Sequence, residues 1–286
     1  MSENTKKKTF NQRSIRGTVF VLMSAVFFSL GGILIKLIPW SSFTIQSVRS
    51  IFSTLVILIY MILTKHRFKF NTSVVIGALC NFVMALTFVS ATKMTTAANA
   101  IVLQFTEPVF VILLLWIIYK KKPSGEALIT CMIVFAGILC FFFESLEAGE
   151  MLGNILAVIS GLAYAGVFLI KGFKNGDFES SLIVSNILSI VAGIPSFVSE
   201  NEFSVKIWIF IIILGSVQCG LSYIFLSKGL DYVSPVTASL TSTIEPILNP
   251  ILVALFYGEM IGTLSVIGAV MVVGAAMVYS LRQSLL

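Results

Sequence analysis

The sequence predicts an all-α integral membrane protein whose ten transmembrane helices form two inverted five-helix repeats. Three observations predict this fold: the composition, a series of long apolar runs, and a similarity between the two halves. Of the 286 residues, 57% are hydrophobic and 11% are charged, and the mean hydropathy is +1.01. Soluble domains average about 25% charged residues. The composition therefore excludes an ordinary soluble enzyme, a disordered chain and a small secreted domain.

The apolar runs supply the helices. A bilayer core of about 30 Å requires about 20 apolar residues in a helix. Ten runs approach that length, and the short connections between them leave no room for an extramembrane domain. The ten predicted spans, numbered in chain order, are 17–37, 44–64, 73–91, 97–119, 125–143, 152–170, 181–198, 206–226, 235–257 and 262–281.

The basic residues predict the orientation. If both termini are inside, the inner segments hold most of the lysines and arginines, and the outer segments hold Lys36, Lys93 and Lys206. Cytoplasmic loops carry this excess in membrane proteins. We therefore expect a multi-pass plasma membrane protein with cytoplasmic N- and C-termini. The net charge of +6 reflects this orientation, and no nucleic-acid partner is expected.

The two halves of the chain resemble each other. Gly17–Ile38 is similar to Gly153–Lys174, and Thr95–Phe110 is similar to Val233–Leu248, which aligns Glu107-Pro108 with Glu245-Pro246. An odd number of spans in each half makes the second half cross the membrane in the opposite sense, as in secondary transporters. The predicted organisation is a cytoplasmic tail at 1–16 and five-helix repeats at 17–143 and 152–281.

These features resemble a known family. The 5+5 layout, the TxAxxA start of span 4 with its counterpart in span 9, the mid-span Glu-Pro pairs and Gly258-Glu259 resemble the EamA branch of the drug/metabolite transporter superfamily. The resemblance covers nearly the whole chain and implies export or exchange of small metabolites, without indicating one substrate. The chain departs from the family at Tyr119–Lys122, where another Gly-Glu is frequent. The lysines there suit the cytoplasm and argue against a shared role for Glu259.

Two mid-span carboxyl groups are the strongest candidates for function. Ionisable groups within a span are costly and are functional candidates by default. Glu107 and Glu245 each precede a proline, which disrupts a helix. Irregular backbone at this depth should line a cavity or be buried in protein. The alternative is that each carboxyl is protonated and hydrogen-bonds between helices as a packing contact.

Neighbouring polar residues extend this site. Thr237, Thr241, Glu245 and Asn249 recur every four residues and predict one polar stripe on span 9, with a second helix break at Pro250. On span 4, Gln104 shares a face with Glu107, and Asn99 lies about a quarter-turn away. Tyr164, Tyr223 and Gln218 are expected to line the same cavity.

Arg49 lies about a third of the way into span 2. We expect its side chain to extend to the membrane interface. Pairing with a substrate carboxylate or with an outer-loop glutamate is the alternative. The predicted substrate-binding or proton-coupling residues are Glu107, Glu245, Gln104, Asn99, Thr241, Asn249, Tyr164, Tyr223, Gln218 and Arg49.

The resulting functional prediction is a secondary active transporter, and specifically an exporter. It should carry small metabolites, such as amino acids or amphipathic drug-like compounds, by alternating access around a midplane cavity lined by spans 1, 3, 4, 6, 8 and 9. Two carboxyl groups near one cavity favour a cationic or zwitterionic substrate, or transfer of a proton, and we expect proton-coupled antiport. The protein should work in the lipid bilayer as a monomer or homodimer.

Two other functions compete with transport. A membrane-embedded enzyme is disfavoured because the sequence contains no HExxH, Cys/His arrangement or glycine-rich phosphate loop. We therefore predict no catalytic residues, no metal and no cofactor, and the four cysteines are expected to be core hydrophobes. A non-transporting scaffold is the second alternative, and only the buried polar residues argue against it.

Overall fold

The regular structure of the chain is helical throughout the described residues, which are 3–120, 122–148, 150–258 and 262–285 of a computed structural model. Glu259, which the family resemblance singled out, lies outside them. The helices are α1 Glu3–Phe28, α2 Gly31–Leu37, α3 Ser42–Leu63, α4 Thr72–Met94, α5 Ala97–Gln104, α6 Glu107–Tyr119, α7 Gly125–Ala148, α8 Met151–Leu169, α9 Phe178–Val198, α10 Val205–Ile213, α11 Ser222–Leu230, α12 Pro235–Thr241, α13 Glu245–Tyr257 and α14 Thr263–Leu285.

Eight helical segments in the described part of the chain are long and apolar enough to cross a membrane. Two shorter apolar helices, Gly125–Gly137 and Thr263–Tyr279, lie where the fifth and tenth spans are predicted. The eight long segments, at the places of the other predicted spans, are Ile15–Leu37, Ser42–Leu63, Thr72–Met94, Ala97–Tyr119, Met151–Gly172, Phe178–Val198, Val205–Leu230 and Pro235–Tyr257. The multi-pass character is therefore confirmed, and the count of ten remains a prediction. The segment predicted as a tail is helical from Glu3 and continuous with span 1.

Four of the spans are not regular α-helices. Span 1 is interrupted between α1 and α2, and span 4 is interrupted at residues 105–106 between α5 and α6. Span 8 contains a π-helix at Leu214–Leu221, and span 9 contains a 3₁₀ turn at Ser242–Ile244.

The two Glu-Pro pairs explain the interruptions in spans 4 and 9. Pro108 and Pro246 occupy the second position of α6 and α13. A proline ring clashes with the carbonyl four residues earlier, whereas its missing N–H costs nothing in the first turn of a helix. The helix therefore restarts at the Glu-Pro pair, as predicted. The second break predicted at Pro250 is wrong. Helix α13 continues through this residue, although its proline ring removes one backbone hydrogen bond inside the helix.

Two glycines allow other helices to pack against the unusual segments. A Cβ on Gly161 of α8 would lie 2.6 Å from the Gln104 carbonyl oxygen, at the end of α5. A Cβ on Gly32 of α2 would lie 2.2 Å from Asn249 Oδ1 in α13. A side chain larger than that of glycine would have to displace these neighbouring atoms, so both glycines allow close helix packing.

Gly161→Ala is expected to destabilise the protein, because the new methyl group meets backbone at the break in span 4. Overpacking of this kind costs about 1–3 kcal/mol, which corresponds to a fall of several degrees in Tm. Thermal unfolding of the purified protein in detergent measures the change. The matched control is Gly274→Ala in α14, where a Cβ would meet nothing within 4 Å and alanine favours the helix. Equal Tm values for the two variants would contradict the contact at the break.

The connections between spans lie at two faces. We call the basic face the one formed by the connections after spans 2, 4, 6 and 8, where Tyr119 Oη donates to the Gly172 carbonyl and Lys171 pairs with Asp231. We call the acidic face the one formed by the connections after spans 1, 3, 5 and 7. There Thr95 Oγ1 donates to Glu150 Oε2.

Candidate functional site

A small cavity lies among the spans and is lined by ten described residues. Its volume is about 30 Å³, which is room for one or two water molecules. The lining side chains come from spans 1, 2, 3, 4, 6, 8 and 9, and thus from span 2 in addition to the spans expected. They are Phe28, Arg49, Met84, Phe88, Gln104, Tyr164, Gln218, Cys219, Tyr223 and Glu245. Six of the ten predicted site residues are therefore brought together here.

A larger groove of about 450 Å³ lies elsewhere, between α7 and α14. Its lining is mainly apolar and includes exposed side chains such as Ile129, Val270 and Val278. At the end of the groove nearest the basic face, Arg282 Nη1 lies 3.3 Å from Glu126 Oε1. Because exposed apolar side chains on membrane spans face lipid, this groove belongs to the lipid-facing surface, and the smaller central cavity is the better candidate site.

Glu107 is fully buried beside this cavity, at the first position of α6. Neither carboxyl oxygen has a hydrogen-bond partner among the described residues. The Ser239 hydroxyl of α12 is close enough to interact with the carboxyl but does not make a hydrogen bond with it. A buried polar atom without a partner costs about 1–3 kcal/mol. The structure therefore offers no support for Glu107 as a hydrogen-bonded packing contact.

Glu245 occupies the corresponding position of α13 and lines the cavity directly. Its side chain is 4% exposed and its Oε2 atom is unpartnered within the described residues. Glu107 and Glu245 are close enough to interact electrostatically with each other and with Tyr164. Glu107 and Glu245 are each the first residue of a helix that starts in the middle of its span. The N-terminus of a helix carries partial positive charge. This placement lowers the cost of a negative charge at mid-membrane depth.

Arg49 is buried in the cavity wall rather than extended to the interface. It is 4% exposed. Its Nε and Nη2 atoms donate to Gln46 Oε1 at 2.8 and 2.5 Å, and Nη2 also donates to the Ala85 carbonyl at 3.2 Å. The expected extension to the interface is wrong, because these acceptors replace water around the guanidinium. No carboxylate of the described residues forms an ion pair with Arg49, so the alternative pairing with an outer-loop glutamate is not seen among them.

Two amide side chains complete the polar wall. Gln104 Nε2 donates to Ser160 Oγ at 2.6 Å. Gln218 Nε2 donates to the Phe28 carbonyl at 3.4 Å, and its Oε1 accepts from Cys219 Sγ at 3.1 Å. Gln218 lies in the π-helix of span 8. Short π-helical segments within α-helices are frequent at functional sites.

Besides Glu107, three predicted residues do not line the cavity. Asn99 Nδ2 donates to Thr95 Oγ1 at 3.4 Å towards the acidic face. Asn249 is fully buried against Gly32, with both polar side-chain atoms unpartnered in the described structure. Thr241 precedes the 3₁₀ turn of span 9. This turn changes the rotation per residue, so the predicted stripe with a spacing of four does not continue along one face.

The sequence interpretation missed four of the lining residues and the π-helix. Phe28, Met84, Phe88 and Cys219 line the cavity, but single apolar residues in apolar spans carry no sequence signal of their own. The π-helix had a weak signal, because Gly215 lies at its start and Gly220 near its end. A Cβ on Gly215 would lie 2.4 Å from the Arg49 carbonyl oxygen.

Comparison with known proteins agrees with this architecture. The chain matches the EamA-like transporter family twice, over residues 15–143 and 151–281. An uncharacterized transporter of Archaeoglobus fulgidus is 23% identical and covers 85% of this chain and 88% of its own. Human solute carrier family 35 member G1 is 25% identical over 85% of this chain and 73% of its own.

A solved crystal structure superposes with a TM-score of 0.72 at 13% identity, covering 93% of this chain and 97% of the other, and shows the fold. The family and these relatives are transporters and not enzymes. The chain therefore belongs to the EamA-like transporter family, within the drug/metabolite transporter superfamily.

Proposed function

We propose that the protein is a secondary active transporter that exports small zwitterionic metabolites of the amino-acid class. One observation carries this proposal: Arg49 and Glu245, which can bear opposite charges, line the same cavity. Arginine suits a carboxylate because its planar guanidinium can donate two parallel hydrogen bonds. Glu245 would receive the ammonium group. Phe28, Met84 and Phe88 provide an apolar surface for the substrate side chain.

The size of the cavity supports alternating access. A volume of about 30 Å³ is far below the 300–1,000 Å³ of typical small-molecule sites. Substrate binding thus requires the surrounding helices to separate. The interrupted spans supply helix ends at which such movement can occur.

The helix packing supports an inverted repeat of ten spans. The contact between spans 3 and 6 has a counterpart between spans 8 and 1. The contact between spans 4 and 6 likewise has a counterpart between spans 9 and 1. Span 2 packs on span 7, and span 5 packs on span 10. Exchanging the first five spans with the last five leaves this set of pairs unchanged, as a pseudo-two-fold axis requires.

The charge distribution supports a plasma membrane exporter with the basic face in the cytoplasm. The positive-inside rule places lysine-rich connections there, and both termini would lie on the same side. Proton antiport is the proposed energy source, because the Glu107 carboxyl is buried next to the substrate site with no hydrogen-bond partner among the described residues.

Counterflow in proteoliposomes tests transport itself. We expect vesicles loaded with an unlabelled amino acid, such as phenylalanine, to accumulate the labelled one without any ion gradient. The control is Glu245→Gln, which removes the charge at the cavity and should reduce counterflow at least tenfold. A scaffold or an enzyme would give no accumulation above protein-free liposomes for any amino acid, which would overturn the proposal.

A further inference from the structure

A cluster of charged side chains on the basic face joins the connection between α3 and α4 to the start of α9. His66 Nε2 lies 3.1 and 2.9 Å from the two carboxylate oxygens of Asp177. Lys69 Nζ lies 3.2 Å from Asp177 Oδ2. Asp177 also caps α9 by accepting from the Ser180 backbone N–H at 3.0 Å. This contact links the first half of the chain to the second at the basic face, as do the hydrogen bonds from Asn71 Nδ2 to the Asn175 carbonyl and from Ser73 Oγ to the Lys174 carbonyl.

Two carboxylates lie next to His66, within a predominantly basic set of connections. Glu179, which is 7% exposed, has a carboxylate oxygen within 4.8 Å of the His66 and Asp177 ligand atoms, and Glu179 Oε1 accepts from Ser227 Oγ at 2.5 Å. Lys69 already pairs with the Asp177 carboxylate, and Ser227 already donates a hydrogen bond to the Glu179 carboxylate. The cluster is therefore an ion-pair network rather than an empty metal site. Other charged or titratable groups of the connections and adjacent helices are Lys65, Arg67, Lys171, Lys174, Lys228, Asp231 and Tyr60.

The acidic face has a corresponding contact made of different groups. With the repeat offset of 136 residues, Ser41 aligns with Asp177 and Glu202 aligns with His66. There the Ser41 backbone N–H donates to Glu200 Oε1 at 2.8 Å, and Trp40 Nε1 donates to the Glu202 carbonyl at 2.7 Å. These donors are neutral. His66, by contrast, is the sole histidine of the sequence, and histidine is the side chain that ordinarily changes charge between pH 5 and 8.

We propose that His66 and Asp177 form a pH-sensitive latch that holds the basic face closed when His66 is protonated. This inference rests on the proposed alternating access and on the basic face being cytoplasmic. Protonation of His66 adds the Coulomb attraction between an imidazolium and a carboxylate to the hydrogen bond that already joins them. Acidification of the cytoplasm therefore strengthens the latch and slows opening towards that side.

Asp177 remains the negative partner over the whole pH range concerned. Burial raises the pKa of Asp177, but hydrogen bonds from Ser180, His66 and Lys69 lower it to about 2. Its folded-state pKa is thus below that of an unfolded aspartate, and the stability it contributes is lost only as the pH falls towards 2.

Transport at controlled pH tests the latch. Counterflow is measured with Glu107→Gln protein as the reference, so that the pH gradient cannot drive transport through that carboxyl. The vesicles have a determined orientation and a chelator is present, while the pH at the basic face falls from about 7.5 to about 5.5 and the other side stays constant. We expect the rate of this reference protein to fall about five-fold. Adding His66→Gln should abolish this pH dependence, and adding His66→Lys should give the slow rate at both pH values. Adding Arg67→Gln, which removes an exposed neighbouring charge, should retain the profile of the reference protein.

A distance measurement separates the latch from transport. Nitroxide labels are placed at positions 67 and 174, both exposed, in a variant whose four cysteines are replaced by alanine. Pulsed electron–electron double resonance measures the distance between the two labels. The population with the longer distance should be larger at pH 7.5 than at pH 5.5, and this difference should vanish with His66→Gln. An unchanged pH response in His66→Gln, in rate and in distance, would overturn the latch. Absence of counterflow with a His66-dependent distance change would overturn the proposed function alone.

Discussion

Replacing Glu107 by glutamine is expected to abolish proton-driven transport while leaving amino-acid counterflow largely intact. Glutamine has the shape of a protonated glutamate but cannot release a proton. Neither Glu107 oxygen has a hydrogen-bond partner in the described structure, and the residue is adjacent to the cavity without lining it. The substitution therefore removes the proton carrier without removing a substrate contact. Coupled accumulation should fall at least tenfold, and exchange at equal pH should change little.

The measurement compares two assays on the same proteoliposomes. The first follows accumulation of labelled phenylalanine driven by a pH gradient, and the second follows counterflow without a gradient. Glu245→Gln should fail in both assays, because Glu245 lines the cavity. Glu202→Gln is the matched control, because its side chain is exposed and its backbone carbonyl makes the contact with Trp40. Gradient-driven accumulation with unchanged pH dependence in both Glu107→Gln and Glu245→Gln would exclude proton coupling by these carboxyl groups.

The sequence predicts most strongly those features that depend on local chemistry. Long apolar runs identify the spans, since hydropathy is a property of each run by itself. The breaks before Glu107-Pro108 and Glu245-Pro246 were also predictable, because the steric effect of proline acts on its own helix. The convergence of Gln104, Tyr164, Gln218 and Glu245 on one cavity followed from the rule that polar groups at mid-membrane depth avoid lipid.

Features that depend on contacts between helices could not be predicted. The position of Arg49 depends on Gln46 and on the Ala85 carbonyl of another helix, and no pattern in span 2 identifies that carbonyl. The 3₁₀ turn at Ser242–Ile244 displaced Thr241 from the predicted stripe, because a small change of helical twist rotates every preceding residue. His66 lies between Lys65 and Arg67 in the sequence, whereas its partner Asp177 lies 111 residues away.

Replacing Arg49 by glutamine is expected to remove selection for the substrate carboxylate. Loss of one member of a buried, hydrogen-bonded charge pair costs about 2–5 kcal/mol, which weakens binding at least about 30-fold. The loss should affect phenylalanine, which has a carboxylate, and spare phenethylamine, which lacks it. Competition of each compound with labelled phenylalanine in the wild type, and thermal-shift titration of each compound with every variant, measure the two affinities.

The comparison of the two ligands separates recognition from folding. Arg49 also holds Gln46 and the Ala85 carbonyl, so Arg49→Gln is expected to lower the Tm of the ligand-free protein as well. A general structural defect would weaken both ligands equally, and that result would place Arg49 outside the carboxylate subsite. Arg49→Lys keeps the charge but loses the planar pair of donors, and it should retain part of the preference for phenylalanine. Glu245→Gln provides the reciprocal test. It should weaken the binding of both ligands, because both have the ammonium group, and it should leave the difference in affinity between phenylalanine and phenethylamine unchanged.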